Sequence, residues 1–199
     1  MNRFLTISAP LLVFVIACGE RAGLPETATT GTSNAPFETA TASATTTAST
    51  GGTVSNMTPA DKEFVSRAGM AGLYEVQAAN LALQNAASDR VREFAQRMLT
   101  DHSQANFELQ ELATVKGLAL PTQLSGSHKS AIDHLSGLNG AEFDKAYMQH
   151  MVSDHRSDIA EFERASQTAR DSDVQGWATR TLPTLKAHAT LAVEVAAGV

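Results

Sequence analysis

The chain has 199 residues, with 15 basic and 21 acidic side chains and a formal net charge of −6. Such an acidic chain has no cluster of lysines and arginines to neutralise phosphates, which excludes a nucleic-acid partner. The single cysteine, Cys18, excludes an internal disulfide, a CxxC redox pair and a zinc ribbon. The length predicts one domain of ordinary size, accompanied by a tail.

The first 17 residues have the pattern of a secretory signal. Arg3 precedes an apolar run, Leu11–Ala17, that is too short to cross a bilayer, and a small residue precedes Cys18. The stretch "VIAC" resembles the lipobox of bacterial lipoproteins, which implies cleavage before Cys18, its acylation, and attachment to a membrane through that lipid. Gly19 is compatible with the outer membrane, so we expect an exported, periplasmic or outer-membrane lipoprotein. An ordinary signal peptide with a chance cysteine is the alternative.

Residues 18–58 are rich in threonine, serine, alanine and glycine, as in "TATASATTTASTGGT". This composition offers too little apolar surface to offset the entropy lost on ordering. The segment is therefore predicted to be a disordered tether between the membrane and the domain that follows.

Helical patterns begin at Thr58, a good N-cap, followed by Pro59 at a position where helices tolerate proline. Further amphipathic patterns begin after Ser88, near Ala141 and at "DSDV", each with apolar residues at helical spacing. A long connection between the second and third patterns contains a short helix in "SHKSAIDHL". The absence of a strand pattern predicts an all-α domain over 59–199, a four-helix bundle with a long crossover between helices 2 and 3.

Two segments nearly repeat each other: "RMLTDHSQ", which begins at Arg97, and "HMVSDHRS", which begins at His150. In each copy the histidine continues the apolar stripe of its helix, whereas the aspartate flanks it. Each of the four helices has one polar residue near the middle of its stripe, about 22 Å from the helix start at 1.5 Å per residue. Residues at mid-helix share a layer in either helix direction, so we expect four side chains to converge: Glu75, His102, His155 and His188.

These four groups have two interpretations, because buried polar groups must find partners. Three imidazoles and a carboxylate suit a transition metal such as copper, iron or zinc. Met98 and Met151 precede two of the histidines by one turn, and their soft thioethers favour copper. The alternative is a hydrogen-bonded network without metal, in which Asp101 or Asp154 from a neighbouring helix satisfies an imidazole.

Other features bear less on function. Pro183 either bends the fourth helix before His188 or marks a late start of that helix. His128 and His134 in the crossover are expected to be solvated. The chain has no Gly-rich phosphate loop, GxSxG elbow or HExxH motif, which argues against the usual hydrolases and nucleotide-binding proteins.

Four segments carry a family resemblance: "GMAGLYEVQAANLAL", "VREFAQRMLTDHSQANFEL", "FDKAYMQHMVSDH" and "TLPTLKAHATLA". Together they resemble the bacterial family known as domain of unknown function 4142, over roughly residues 60 to 195. The resemblance implies a ferritin-like fold and a location in the cell envelope, and little about activity. Because the chain has no Glu-x-x-His, which ferritin-like di-iron sites use, we expect a non-enzymatic protein. A structural or protein-interaction module is one alternative, and a redox enzyme using a bound metal is another.

Overall fold

The computed structural model describes residues 56–199, which form five α-helices. Within these residues there is no β-strand, and one isolated bridge joins Ala86 to Gly140. The predicted signal segment, Cys18 and nearly all of the predicted tether lie outside the described residues. No helix in the described part is long and apolar enough to cross a membrane. The helices are α1 (Pro59–Asn85), α2 (Asp89–Val115), α3 (Gly126–Ser136), α4 (Gly140–Thr168) and α5 (Ser172–Ala196).

The four long helices pack as two pairs joined side by side. α1 packs along α2, and α4 along α5; the pairs then meet through contacts of α2 with α5 and of α1 with α4. The short helix α3 lies against α1 and α4. The all-α prediction is confirmed, and so is the short helix within the connection between α2 and α4.

Local signals in the sequence explain where the helices begin. Thr58 and Asp61 form a reciprocal capping box at the start of α1, with Pro59 as its first residue. Asp171 caps α5 by accepting hydrogen bonds from two backbone N–H groups. α5 then continues through Pro183, so the alternative of a late start near that proline is wrong. Core packing on both sides of Pro183 outweighs the backbone hydrogen bond that a proline removes.

Two buried aspartates tie the helix pairs together at opposite ends of the domain. Asp144, near the start of α4, accepts hydrogen bonds from the N–H groups of Ala87 (3.1 Å) and Ser88 (2.8 Å) in the α1–α2 turn. Asp61, in the first turn of α1, accepts from two N–H groups of the α4–α5 turn at 3.1 and 3.3 Å. Each helix pair therefore supplies one aspartate that binds the turn of the other pair. These contacts fix how the two pairs are aligned along the helix axes.

The apolar core divides into two clusters with a polar layer between them. The Tyr147 cluster includes Met98, Met151, Tyr147, Phe94 and Phe143, and the Trp177 cluster includes Phe64, Phe162, Trp177, Leu109 and Leu185. Along α2, α4 and α5, the residues that separate the two clusters include the three histidines of the sequence prediction. The three histidines therefore occupy a polar layer between the two apolar clusters.

Replacing Asp144 with alanine should leave two N–H groups of the α1–α2 turn without their acceptor. We expect Asp144→Ala to lower the free energy of unfolding by about 2 kcal/mol, measured by urea denaturation. Asp133→Ala on α3 is the control, because the Asp133 side chain is exposed and pairs with Lys129 one turn away on the same helix. Equal stability of the two variants would contradict the proposed role of Asp144.

Candidate functional site

The polar layer contains one side chain from each of the four long helices. Glu75 of α1 is 2% exposed and His102 of α2 is 5% exposed, while His155 of α4 and His188 of α5 are fully buried. The ring centroids of the three histidines lie 5.1 to 5.7 Å from one another. The four predicted residues, each near the middle of its helix, therefore form one cluster. This cluster is called the histidine layer below.

Each imidazole uses one ring nitrogen to donate a hydrogen bond to a fixed acceptor. His102 Nδ1 donates to Glu75 Oε2 at 2.8 Å, and His188 Nε2 donates to Asp101 Oδ2 at 2.8 Å. His155 Nδ1 donates to the carbonyl oxygen of Met151, one turn earlier in α4, at 3.0 Å. These bonds hold the plane of each ring and select its tautomer.

The second nitrogen of each ring is buried and has no hydrogen-bond partner. These atoms are His102 Nε2, His155 Nε2 and His188 Nδ1. One ring nitrogen from each histidine lies within 4.8 Å of the others. Glu75 Oε1, which is also unpartnered, is 3.7 Å from His155 Nε2. Three imidazole nitrogens and one carboxyl oxygen of the layer are therefore buried without a hydrogen-bond partner in the described residues.

Burial controls the protonation of the layer. Desolvation lowers the pKa of His102 to about 4, although the charge of Asp101 opposes the shift. Desolvation likewise lowers the pKa values of His155 and His188. The same desolvation raises the pKa of Glu75 to about 7, with His155 opposing the shift and Asp154 adding to it. Near neutral pH the three imidazoles are uncharged and can each offer a lone pair.

The other predicted site residues have different positions. Asp101 reaches across from α2 to His188 on α5, as one of the two expected cross-helix contacts. Asp154, in contrast, has an unpartnered Oδ2 and, among the hydrogen bonds of the described residues, makes none to a histidine. Met98 and Met151 are buried in the Tyr147 cluster, and the hydrogen bond of Met151 to the layer comes from its main chain.

A cleft of about 280 Å³ between α1, α3 and α4 reaches Glu75 from the surface. Asp154, Asp158, Tyr74 and His128 line it together with Glu75. His128 is partly exposed, and its ring lies 4.9 Å from that of Tyr74, whereas His134 is exposed as expected. Sequence reasoning missed Asp158; its only signal was its position one turn after Asp154 and three residues after His155.

Burial of His102 ties the stability of the domain to pH. The unfolded chain binds more protons at this residue than the folded chain between the ordinary histidine pKa of 6.5 and the pKa of about 4 for His102, so its contribution to stability falls as pH falls through that range. The raised pKa values of Glu75, Asp154 and Asp158 act in the opposite direction, because these carboxyl groups keep their protons in the folded chain at pH values where they ionise in the unfolded chain. The contribution of His102 is therefore measured by comparing variants: from pH 7 to pH 5 it should lower the free energy of unfolding, measured with urea, by about 2 kcal/mol relative to a chain that lacks this imidazole.

The matched pair of variants is His102→Gln, inside the layer, and His134→Gln, on the exposed side of α3. His102→Gln should lose less stability than the unmodified chain between pH 7 and pH 5, because it removes one group that resists protonation in the folded state. His134→Gln should leave the dependence unchanged. A wild-type pH dependence in both variants would contradict the assignment.

Comparison with known proteins identifies the family. The family model described as "Domain of unknown function (DUF4142)" matches residues 42–195, which include the whole histidine layer. The crystal structure of a DUF305 fragment from Deinococcus radiodurans is similar in fold, with a TM-score of 0.64 over 72% of this chain and 99% of that one, at 16% identity. A putative secreted DUF305 protein from Streptomyces coelicolor has a TM-score of 0.60 over 70% and 91% of the two chains, at 13% identity. No curated protein matches the chain. Since the match of the family model spans most of the sequence, the chain belongs to the DUF4142 family.

Proposed function

We propose that this protein binds one first-row transition-metal ion in the histidine layer, with His102, His155 and His188 as ligands. The observation that carries the proposal is a cluster of three buried histidines: one ring nitrogen from each lies within 4.8 Å of the others, and each ring has one nitrogen without a hydrogen-bond partner. Glu75 supports the site in two ways: one carboxylate oxygen orients His102, and the other lies 3.7 Å from His155.

The distances require only a small adjustment. Imidazole nitrogens bind zinc at about 2.0–2.1 Å, which separates ligands in a tetrahedral site by about 3.4 Å. The ring nitrogens already lie within 4.8 Å of one another, so small rotations of the side chains bring them to that spacing. Acceptors on the opposite ring nitrogens are the usual arrangement around metal-bound histidines, because they fix the ring and make the ligand more basic.

The alternative of a network without metal explains only half of the polar atoms. It accounts for Glu75 with His102 and for Asp101 with His188. It leaves one buried nitrogen of each imidazole and Glu75 Oε1 without a hydrogen-bond partner. An unpartnered buried group has lost its hydration, and a cation bound by the three imidazole nitrogens would compensate that loss for all three rings.

The ligand chemistry favours zinc or copper over harder ions. Neutral imidazoles suit zinc, copper, iron and nickel, whereas magnesium and calcium prefer oxygen ligands. The thioethers of Met98 and Met151 do not enter this argument, because both side chains pack in the Tyr147 cluster. Without a second cluster of ligands among the described residues, we propose a binding protein rather than a di-metal enzyme.

The architecture proposed with this function is a ferritin-like four-helix bundle. Its support is the closed ring of contacts among α1, α2, α5 and α4, with the connection through α3 between the two pairs. We further propose that the protein is exported and anchored through Cys18, so that residues 18–58 hold the domain away from the membrane. The support for this location is the N-terminal sequence pattern.

Titration of the purified chain with Zn²⁺ should give one ion per molecule with a sub-micromolar dissociation constant, measured by calorimetry and elemental analysis. His155→Ala should weaken binding by at least about 100-fold, because it removes one of three ligands. Asp101→Asn should weaken it by about 10- to 100-fold, because it disturbs the orientation of His188.

His150→Gln is the matched control, since His150 lies on α4 outside the layer. It should bind Zn²⁺ as tightly as the unmodified chain. Metal binding that is equal in His155→Ala and His150→Gln would place the site elsewhere, and absence of binding in the unmodified chain would exclude this function.

Acylation of Cys18 should be required for membrane association. In cells that produce the full chain, Cys18→Ala should move the protein from the membrane fraction to the soluble fraction, because it removes the thiol that would carry the lipid. Cys18→Ala that remains with the membrane through high-salt washes would contradict the anchor.

A further inference from the structure

A small chamber adjoins the histidine layer on the side of the Trp177 cluster. Its volume is about 20 Å³, and its mostly apolar wall carries the polar side chains of Glu75, His102, Asn106, Asp158 and Trp177. A space that holds one water molecule requires roughly 10–15 Å³, together with two to four polar partners. The chamber therefore has room beside the layer for a water molecule or for the coordinating end of a small ligand.

The polar atoms around this chamber lack partners within the protein. Trp177 is 3% exposed, and its Nε1, which can only donate, has no acceptor. His102 Nε2, Glu75 Oε1 and Asp158 Oδ2 are likewise unpartnered. These atoms come from all four long helices, so one small molecule in the chamber could satisfy donors and acceptors that no neighbouring residue reaches.

The chamber also adjoins the surface. Glu75 and Asp158 line both the chamber and the cleft of about 280 Å³ between α1, α3 and α4. A small solute in the cleft is thus separated from the chamber by these two side chains.

We propose that the histidine layer keeps one coordination position open toward this chamber, where a water molecule or a small anion binds the metal and accepts a hydrogen bond from Trp177 Nε1. The inference rests on the proposed metal site. Three protein ligands with one exchangeable ligand is the arrangement by which metal sites act on small molecules, whereas structural sites are closed by four protein ligands. The layer supplies three imidazoles, and the chamber supplies the space for the fourth ligand.

Azide is a suitable probe, because its binding to Cu²⁺ gives a charge-transfer absorption band. The full chain is first loaded with Cu²⁺, and uptake is measured on its own by elemental analysis. Azide should then produce a saturable band, whereas benzoate, which is too large for the chamber, should leave the copper spectrum unchanged.

Cu²⁺ uptake without an azide band would overturn the inference and leave the metal site intact. Failure to take up Cu²⁺ at the histidine layer would overturn both.

Two variants test the hydrogen bond to the anion. Trp177→Phe removes the N–H donor but retains an aromatic ring against Phe64 and Phe162. It should weaken azide binding by about tenfold, the expected loss for one hydrogen bond to a charged group. The ring it introduces is smaller, which enlarges the chamber and would by itself strengthen binding. A decrease therefore reports the lost donor.

Thr181→Val is the matched control. Thr181 lines the same chamber, but its hydroxyl already donates to the carbonyl oxygen of Trp177 at 2.9 Å. The nearly isosteric valine should leave azide affinity within about twofold of the unmodified chain, since it removes no unpartnered polar atom. Azide binding that is unchanged in Trp177→Phe, or equally weakened in both variants, would exclude Trp177 as the donor and overturn the proposed arrangement.

Discussion

The structure depends on one constraint: three neutral imidazoles, each with a buried ring nitrogen that has no hydrogen-bond partner, lie together inside an apolar core. Each histidine comes from a different helix, so the layer is formed only when α2, α4 and α5 pack at the correct height against α1. In the proposed function, a cation bound by these imidazoles would crosslink the three helices and so couple metal binding to the stability of the domain.

The groups around the layer hold it in a fixed geometry. Asp101, Glu75 and the carbonyl of Met151 each bind one of the three imidazole rings through a hydrogen bond. At the two ends of the domain, Asp61 and Asp144 set the register of the helix pairs, and therefore the height at which the histidines meet. Above and below the layer, the two apolar clusters exclude water and keep the imidazoles uncharged.

The sequence predicts much of this arrangement, because helical periodicity and depth along a helix are local properties. These properties are sufficient to place Glu75, His102, His155 and His188 in one layer, and Thr58 and Pro59 mark the start of α1. Contacts between side chains on different helices cannot be predicted from local sequence patterns, because they depend on which helices pack together. Whether Asp101 or Asp154 reaches a histidine depends on which helix lies opposite, and the contact of Asp144 with the α1–α2 turn joins residues 56 positions apart or more. The helical pattern alone likewise does not predict the chamber beside Trp177, because a cavity is the space that remains after side chains from four helices have packed.

The most direct measurement is the structure of the purified chain crystallised with Zn²⁺, with data collected at the zinc absorption edge. A metal held by the histidine layer should give one strong anomalous peak, about 2.0–2.1 Å from His102 Nε2, His155 Nε2 and His188 Nδ1. Asp101 and Met151 should keep their hydrogen bonds to the opposite ring nitrogens. Anomalous peaks only at surface carboxylates, with the three imidazoles joined by protons or water, would contradict the metal site and support a purely structural hydrogen-bonded layer.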